Sequence, residues 1–143
     1  GAVTATLLNT DGSVQDNLRA LVTPWSLLRR RILRLPERRV DWFSASFLML
    51  PTEAYRAVGG FDEGYHMYCE DVDLCLRLQL AGWRLARSPA TAVHHAQRDS
   101  LRRWRPLWWH LHSLLRLWCG AAFWRYRFRQ IWAVFHRGQD AQR

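Results

Sequence analysis

The stretch FDEGYHMYCEDVDLCLRLQLAG, residues 61–82, says more about the fold of this chain than any other. Leu74, Leu78 and Ala81 stand at i, i+4 and i+7, one face of a helix, while Asp73 and Arg77 can pair at i, i+4 on another. Gly82 supplies the stop. Glu70, Asp71 and Asp73 gather where an irregular segment enters that helix. Two roles are open to Asp71 there. It is placed to be the N-cap, with its neighbours favouring the positive end of the helix dipole. A carboxylate fixed at a helix mouth is also rigid and partly desolvated, as a general base that takes a proton from a hydroxyl must be. The two roles can coexist. Asp71-Val72-Asp73 spells D-x-D, but a metal-binding D-x-D is expected on a strand-end loop rather than beside Glu70 at a helix start.

Working outward, Thr52 is expected to cap a brief helix over residues 53–58, which Gly59-Gly60 ends. Residues 42–50 form a nearly continuous apolar run suited to a buried strand. Residues 1–9 read as a strand closed by the turn pair Asp11-Gly12. Between them, Leu27, Leu28, Ile32 and Leu33 alternate with Arg29, Arg30, Arg31 and Arg34 at roughly helical spacing until Pro36. Downstream, residues 83–87 and 91–95 read as two short strands separated by Ser88-Pro89. His94 and His95 close the second strand, where neighbours point to opposite faces, so at most one shares a site with Asp71. That His is either a satisfied structural residue or a neutral imidazole ligand for a metal. Arg98 and Ser100 add donors that could hold a diphosphate.

The chain has 143 residues, 49% hydrophobic and 13% aromatic, enough to bury a core and too apolar for disorder. Its three cysteines, Cys69, Cys75 and Cys119, show neither zinc spacing nor a paired framework, and a reducing cytoplasm fits them. All 21 basic residues are Arg, and the net charge of +9 is unevenly spread. Seven Arg and three acids give residues 1–39 a charge of +4, four Arg and seven acids give residues 40–95 −3, and ten Arg and two acids give residues 96–143 +8. An acidic centre between basic arms suits a carboxylate-bearing site bordered by anion-holding groups, or an ordinary solvated surface. No run reaches the ~18 apolar residues of a spanning helix. Gly1 rather than Met opens the chain and no signal-peptide pattern follows, so a fragment lacking an N-terminal part is expected.

In the last third, Leu101, Trp104, Trp108, Leu111, Leu115, Trp118 and Ala122 recur at three- and four-residue steps, off which lie Arg102, Arg103, Arg105 and Arg116. This predicts one amphipathic helix, or two broken near Gly120. Arg and Trp on such a helix suit the headgroup level of an anionic membrane, or a Trp face packed on the domain.

The string VGGFDEGYHMYCEDVDLCLRLQLAGW, residues 58–83, preceded by VDWFSASFLML and followed by SPATAVHHAQRDS, resembles the C-terminal half of a family 2 glycosyltransferase with the GT-A fold. Bacterial rhamnosyltransferase-like enzymes of cell-surface polysaccharide assembly are the most similar members, over residues 1 to about 116. The resemblance implies an α/β fold: a partial, Rossmann-like GT-A domain without its nucleotide-binding half over residues 1–100, with the basic Trp-rich tail over residues 101–143. It implies inverting transfer of a sugar from a nucleotide donor to an acceptor hydroxyl. By position, Asp71 is then the catalytic base, Glu70 helps place the acceptor, and His94 is the metal-ligand histidine. Arg98 and Ser100 hold the diphosphate, and Trp42, Ser44, Ala45 and Ser46 line the acceptor side. The implied cofactor is Mg²⁺ or Mn²⁺, held together with a D-x-D from the absent half, and no catalysis is expected from this chain alone. Implied partners are a nucleotide sugar, a saccharide or lipid-linked acceptor and an anionic membrane at the inner face of the bacterial cell membrane. The sequence departs from the family where Ala45 replaces a common Gly and where no basic residue stands near Pro51. The competing class is a non-catalytic Arg/Trp-rich module for membrane or nucleic acid; against the latter, no nucleic-acid motif is present and the acidic centre would repel the polymer.

Overall fold

In the computed structural model, which describes residues 1–15, 17–33, 35, 39–94 and 104–140, β1 (Ala2–Leu8) forms where small residues alternate with Val3 and Leu7. Two short strands are expected in residues 83–95, yet a single strand, β4 (Leu85–Val93), pairs with β1 in parallel. Ser88-Pro89 does not break it. The pair falls in an irregular stretch of the register, between Thr4↔Arg87 and Thr6↔Thr91, where a residue without an N–H removes no ladder bond.

The run over residues 42–50, expected as one strand, is interrupted. Only Trp42–Phe43 is a strand (β3), antiparallel to β2 (Leu18–Arg19), and a 3₁₀ turn over Ala45–Phe47 follows. The hydroxyls within Ser44-Ala45-Ser46 explain the break, because they bond locally instead of leaving the backbone to a ladder: Ser44 Oγ accepts from the Ser46 N–H at 3.4 Å and meets the Ser46 hydroxyl at 2.9 Å. Met49 then returns to β1, where it and Val3 exchange two backbone hydrogen bonds of 2.7 and 2.8 Å.

Helix α1 (Pro24–Arg31) starts with a capping box between Thr23 and Ser26 and a proline in its first turn. Helix α2 (Thr52–Ala57) takes Pro51, not Thr52, at its cap, and Gly59 and Gly60 end it at φ 77° and 71°. Helix α3 (Glu70–Leu80) is the centre of the domain, with six of its eleven residues buried. Leu74 and Leu78 face Ala2 and Ala54, whereas Val72, Cys75 and Leu76 face Phe43, Leu117, Phe123 and Tyr126. A helix covered on both sides positions whatever stands at its N-terminus rigidly. The Asp73–Arg77 pair forms at 2.7 Å, and the same guanidinium donates to the Val58 carbonyl, bracing α3 against the end of α2. Ala81 lies past the helix and is exposed.

The C-terminal pattern becomes two helices, α4 (Trp104–Cys119) and α5 (Ala121–Asp140), separated at Gly120. One face of the pair completes the core through Leu117, Phe123 and Tyr126, and α5 lies on α3. Trp118 donates its indole N–H to the Val22 carbonyl at 2.9 Å, tying α4 to the segment before α1.

Candidate active site

Two consecutive non-glycine residues in the left-handed region, Tyr68 (φ 71°) and Cys69 (φ 64°), lead the chain into α3. Each costs of order 1–3 kcal/mol, so the surroundings must hold them. Helix α4 does so. The Tyr68 ring stacks on His110 with 3.4 Å between centroids, Ser113 donates to the Met67 carbonyl at 2.7 Å, and Arg116 grips both oxygens of Asp62 at 3.0 and 2.9 Å. This geometry corrects the sequence reading of the helix start. Cys69 takes the N-cap and Asp71 stands at the second helical position, where its Oδ1 accepts from the Val72 N–H at 2.8 Å.

The other oxygen of Asp71 accepts from the Ala45 N–H at 3.3 Å. Burial, then the neighbouring charge of Glu70, push this carboxyl from 3.8 up to about 6, against the pull of the backbone donors. Glu70 Oε2 is buried without a hydrogen-bond partner among the described residues. A carboxylate pair of this kind, desolvated and half-satisfied, is costly to the fold and therefore informative about function.

Both acids open onto a pocket of about 950 Å³. Trp42, Ser44, Ala45, Ser46 and His94 line it as well. Arg98, Ser100 and His95 lie outside the described residues. Trp42 is fixed there by its indole N–H on the Ala20 carbonyl, 2.8 Å away. His94, just beyond β4, donates its backbone N–H to the Leu8 carbonyl at 2.9 Å, and its Nδ1 lies 3.1 Å from Gln15 Oε1. Arg19, whose guanidinium lies 5.8 Å from the centre of the Trp42 ring, also lines the pocket, as do Arg30, Leu27, Leu28, Leu111 and Leu114. The lining thus joins the acids at the start of α3 to arginines of β2 and α1 and to leucines of α1 and α4.

Sequence reasoning missed Gln15, Tyr68 and His110, which also line this space. Gln15 follows the Asp11-Gly12 turn with nothing in its neighbourhood to mark it. Tyr68 and His110 are 42 positions apart and meet only through the docking of α4. Among the described residues no three His, Cys, Asp or Glu side chains come together closely enough to hold a metal ion, so His94 offers a single ligand.

Burial also pushes the thiols of Cys69 and Cys75 up to about 12, while Cys119 is exposed. A maleimide at neutral pH is therefore expected to modify only Cys119 of the native chain, as counted by mass spectrometry. Rapid modification of Cys69 would show that the α3 entrance is open.

Residues 4–137 match the family described as Glycosyl transferase family group 2. The chain belongs to this family. The family match covers α4 and all but the last three residues of α5. The chain is 44% identical over 100 residues to rhamnosyltransferase WbbL of Escherichia coli K12, an alignment that covers 68% of the chain and 38% of that relative. It is 44% identical over 81 residues to the N-acetylglucosaminyl-diphospho-decaprenol L-rhamnosyltransferase of Mycobacterium tuberculosis, covering 56% of the chain and 26% of the relative. A pre-mycofactocin glycosyltransferase of the same organism is 41% identical over 85 residues, 59% of the chain and 18% of the relative. No solved structure matches the chain. The glycosyl transferase family group 2 chain thus spans well under half the length of these relatives, and the α/β arrangement with its parallel strand pair fits part of a GT-A-like domain. Nothing in these matches supports a non-catalytic Arg/Trp-rich module.

Proposed function

We propose that this chain is the acceptor-side part of an inverting glycosyltransferase whose nucleotide-binding half is supplied by sequence upstream, and that Asp71 is its base. One observation carries the reading: Asp71, desolvated and raised to about 6, opens onto the same pocket as His94. The ionised carboxylate takes the proton of the acceptor hydroxyl as that oxygen attacks the anomeric carbon. The bond from that carbon to the diphosphate breaks on the opposite face, and the electron pair leaves with the diphosphate. Glu70 and the Ser44-Ala45-Ser46 turn position the acceptor beside Asp71, and the short tether from Ala45 N–H to Asp71 keeps turn and base in register.

The residues fit a divalent cation in part. His94 supplies one imidazole, the buried Glu70 oxygen lacks a partner among the described residues, and a D-x-D from the donor-binding half would complete the set. When bound, Mg²⁺ or Mn²⁺ neutralises charge developing on the leaving diphosphate. Arg98 and Ser100 are assigned to the same diphosphate. The test is the pH dependence of transfer by the enzyme carrying both halves. Asp71 must be ionised, so kcat/KM should rise with pH through an apparent pKa near 6 and level off above it. A rate that is flat from well below 6 to above it would remove Asp71 as the base.

The arginines and leucines in the lining support an amphipathic acceptor, a lipid-linked diphosphate sugar in a cell-surface polysaccharide or glycolipid pathway. Its diphosphate would meet Arg19 and Arg30, and its chain would run along the leucines of α1 and α4. The exposed apolar faces of α4 and α5 support docking at the inner face of the cell membrane. Helix α4 exposes Trp108, Leu111 and Leu115, and α5 exposes Trp124, Phe128, Trp132 and Phe135 between Arg125, Arg127 and Arg129. No helix of the described residues is long and apolar enough to cross a membrane, so these faces suit the interfacial plane. Co-sedimentation with anionic vesicles is expected to fall at least several-fold for a Phe128→Ser/Trp132→Ser variant and to weaken with salt. Unchanged sedimentation would overturn the docking.

A further inference from the structure

We propose that a directed chain of hydrogen bonds beginning at Asp11 sets which ring nitrogen of His94 carries the proton, leaving Nε2 as a lone-pair donor in the pocket, with Gln15 as the positioning residue. The purpose of this device rests on the reading of His94 as a cation ligand; the proton order rests on the hydrogen bonds alone.

Asp11 stands on the turn after β1 and accepts from both the N–H and the hydroxyl of Ser13, at 2.9 and 2.6 Å. Those bonds hold its carboxyl below the usual carboxylate range. An ionised carboxylate only accepts, so the single Ser13 proton is committed to it. The Ser13 oxygen can then only accept from the group 2.7 Å away, which makes that group the NH₂ of Asn9. With its amide so oriented, Asn9 presents Oδ1 to Gln15, and the Gln15 NH₂ donates to it at 2.7 Å. Gln15 is thereby turned with Oε1 toward Nδ1 of His94, 3.1 Å away. An acceptor at that distance requires a proton on Nδ1, and a neutral imidazole carries only one.

Each step removes one of two orientations, and the backbone keeps the partners in reach. Asn9 N–H donates to the Ser13 carbonyl at 2.8 Å, Gln15 N–H to the Leu7 carbonyl at 2.7 Å, and His94 N–H to the Leu8 carbonyl at 2.9 Å. Gln15 is 8% exposed, so water competes poorly for its amide. Nε2 of His94 has no hydrogen-bond partner among the described residues. A ring that donates Nδ1–H to a neighbouring side-chain oxygen and keeps Nε2 bare is the arrangement by which proteins orient an imidazole for a metal.

The test is long-range ¹H–¹⁵N correlation on the whole chain, read at a pH beyond which the ring signals no longer move. His94 is expected to show the Nδ1-protonated pattern, and Gln15→Leu to lose it for a mixed or Nε2-protonated ring. Ser13→Ala, an exposed change that unpins the Asn9 amide without touching the pocket, should shift the ring part of the way. Unaltered signals from the other histidines confirm that each variant is folded. An Nε2-protonated ring in the unmodified chain, or a pattern indifferent to both substitutions, overturns the proposal. Mn²⁺ added to the same sample asks the separate question: failure to broaden His94 ahead of the other histidines would sink its role as a cation ligand, and the proton order would be judged on the tautomer spectra.

Discussion

Asp71→Asn is expected to cut glycosyl transfer by the enzyme carrying both halves by about 10²–10⁴-fold, the usual worth of a positioned general base, while making this chain more stable at pH 8. The second effect follows from the first residue's environment. In the folded chain the Asp71 carboxyl keeps its proton up to about 6, whereas unfolded it ionises near 3.8. Between those values the folded state binds more protons, so stability falls as pH rises through the window, and the full cost, about 3 kcal/mol, is present above pH 6. Asparagine keeps its one oxygen for the Val72 N–H, gives up the longer bond from the Ala45 N–H, and carries no charge to desolvate or to oppose Glu70. The variant should therefore exceed the parent by up to about 3 kcal/mol in urea unfolding at pH 8 and match it near pH 3.5. Equal turnover would refute the base, and an Asn variant less stable at pH 8 would refute the desolvation. Opposite signs in activity and stability are what distinguish a site from a cap.

Asp41→Ala is expected to cost about 2–5 kcal/mol, from two orphaned buried donors, a large part of the 5–15 kcal/mol that holds a domain of this size. The carboxylate is 2% exposed and is a hub between the strand region and α5. Its Oδ2 accepts from the Leu21 N–H at 2.8 Å, and its Oδ1 accepts from Arg39 at 2.9 Å, the Tyr126 hydroxyl at 3.0 Å and the Gln130 amide at 2.7 Å. Truncation leaves the Leu21 N–H and the Gln130 amide buried without acceptors, each at the cost of its desolvation. Burial and the Asp41 charge both raise the Tyr126 hydroxyl. Urea denaturation and amide exchange in α5 check the result. A loss under about 1 kcal/mol would show that water reaches the hub. Asp41→Asn, which keeps one oxygen for either the Leu21 N–H or the donors on Oδ1 but not for both, should cost less than Ala.

Helix α3 and its acids were readable because the code for them is local. The i, i+4 spacing of Leu74 and Leu78, the Asp73–Arg77 pair and the Gly82 stop involve residues within one or two turns of each other, and all are realised. The break at Gly120 and the strand over residues 1–9 are of the same kind. Where local preferences compete, the reading failed. The apolar run over residues 42–50 satisfies a strand pattern, but the hydroxyls of Ser44 and Ser46 and the pairing of Met49 with Val3 decide it otherwise. Ser88-Pro89 reads as a break, and the irregular register against β1 absorbs it.

By itself, then, the sequence determined the α/β class, the central amphipathic helix and the gathering of acids at its start. Only the tertiary structure decided that Asp71 is not the cap, because the left-handed turn at Tyr68 and Cys69 is held by His110 and Ser113 from a helix some 40 residues later. It alone brought Asp71, Glu70 and His94 to one pocket and set Gln15 behind the imidazole. The reason is the range of the forces involved. Helical periodicity and turn chemistry act over a few residues, while desolvation, which raises Asp71, and hydrogen-bond order, which directs His94, exist only after distant segments have excluded water between them.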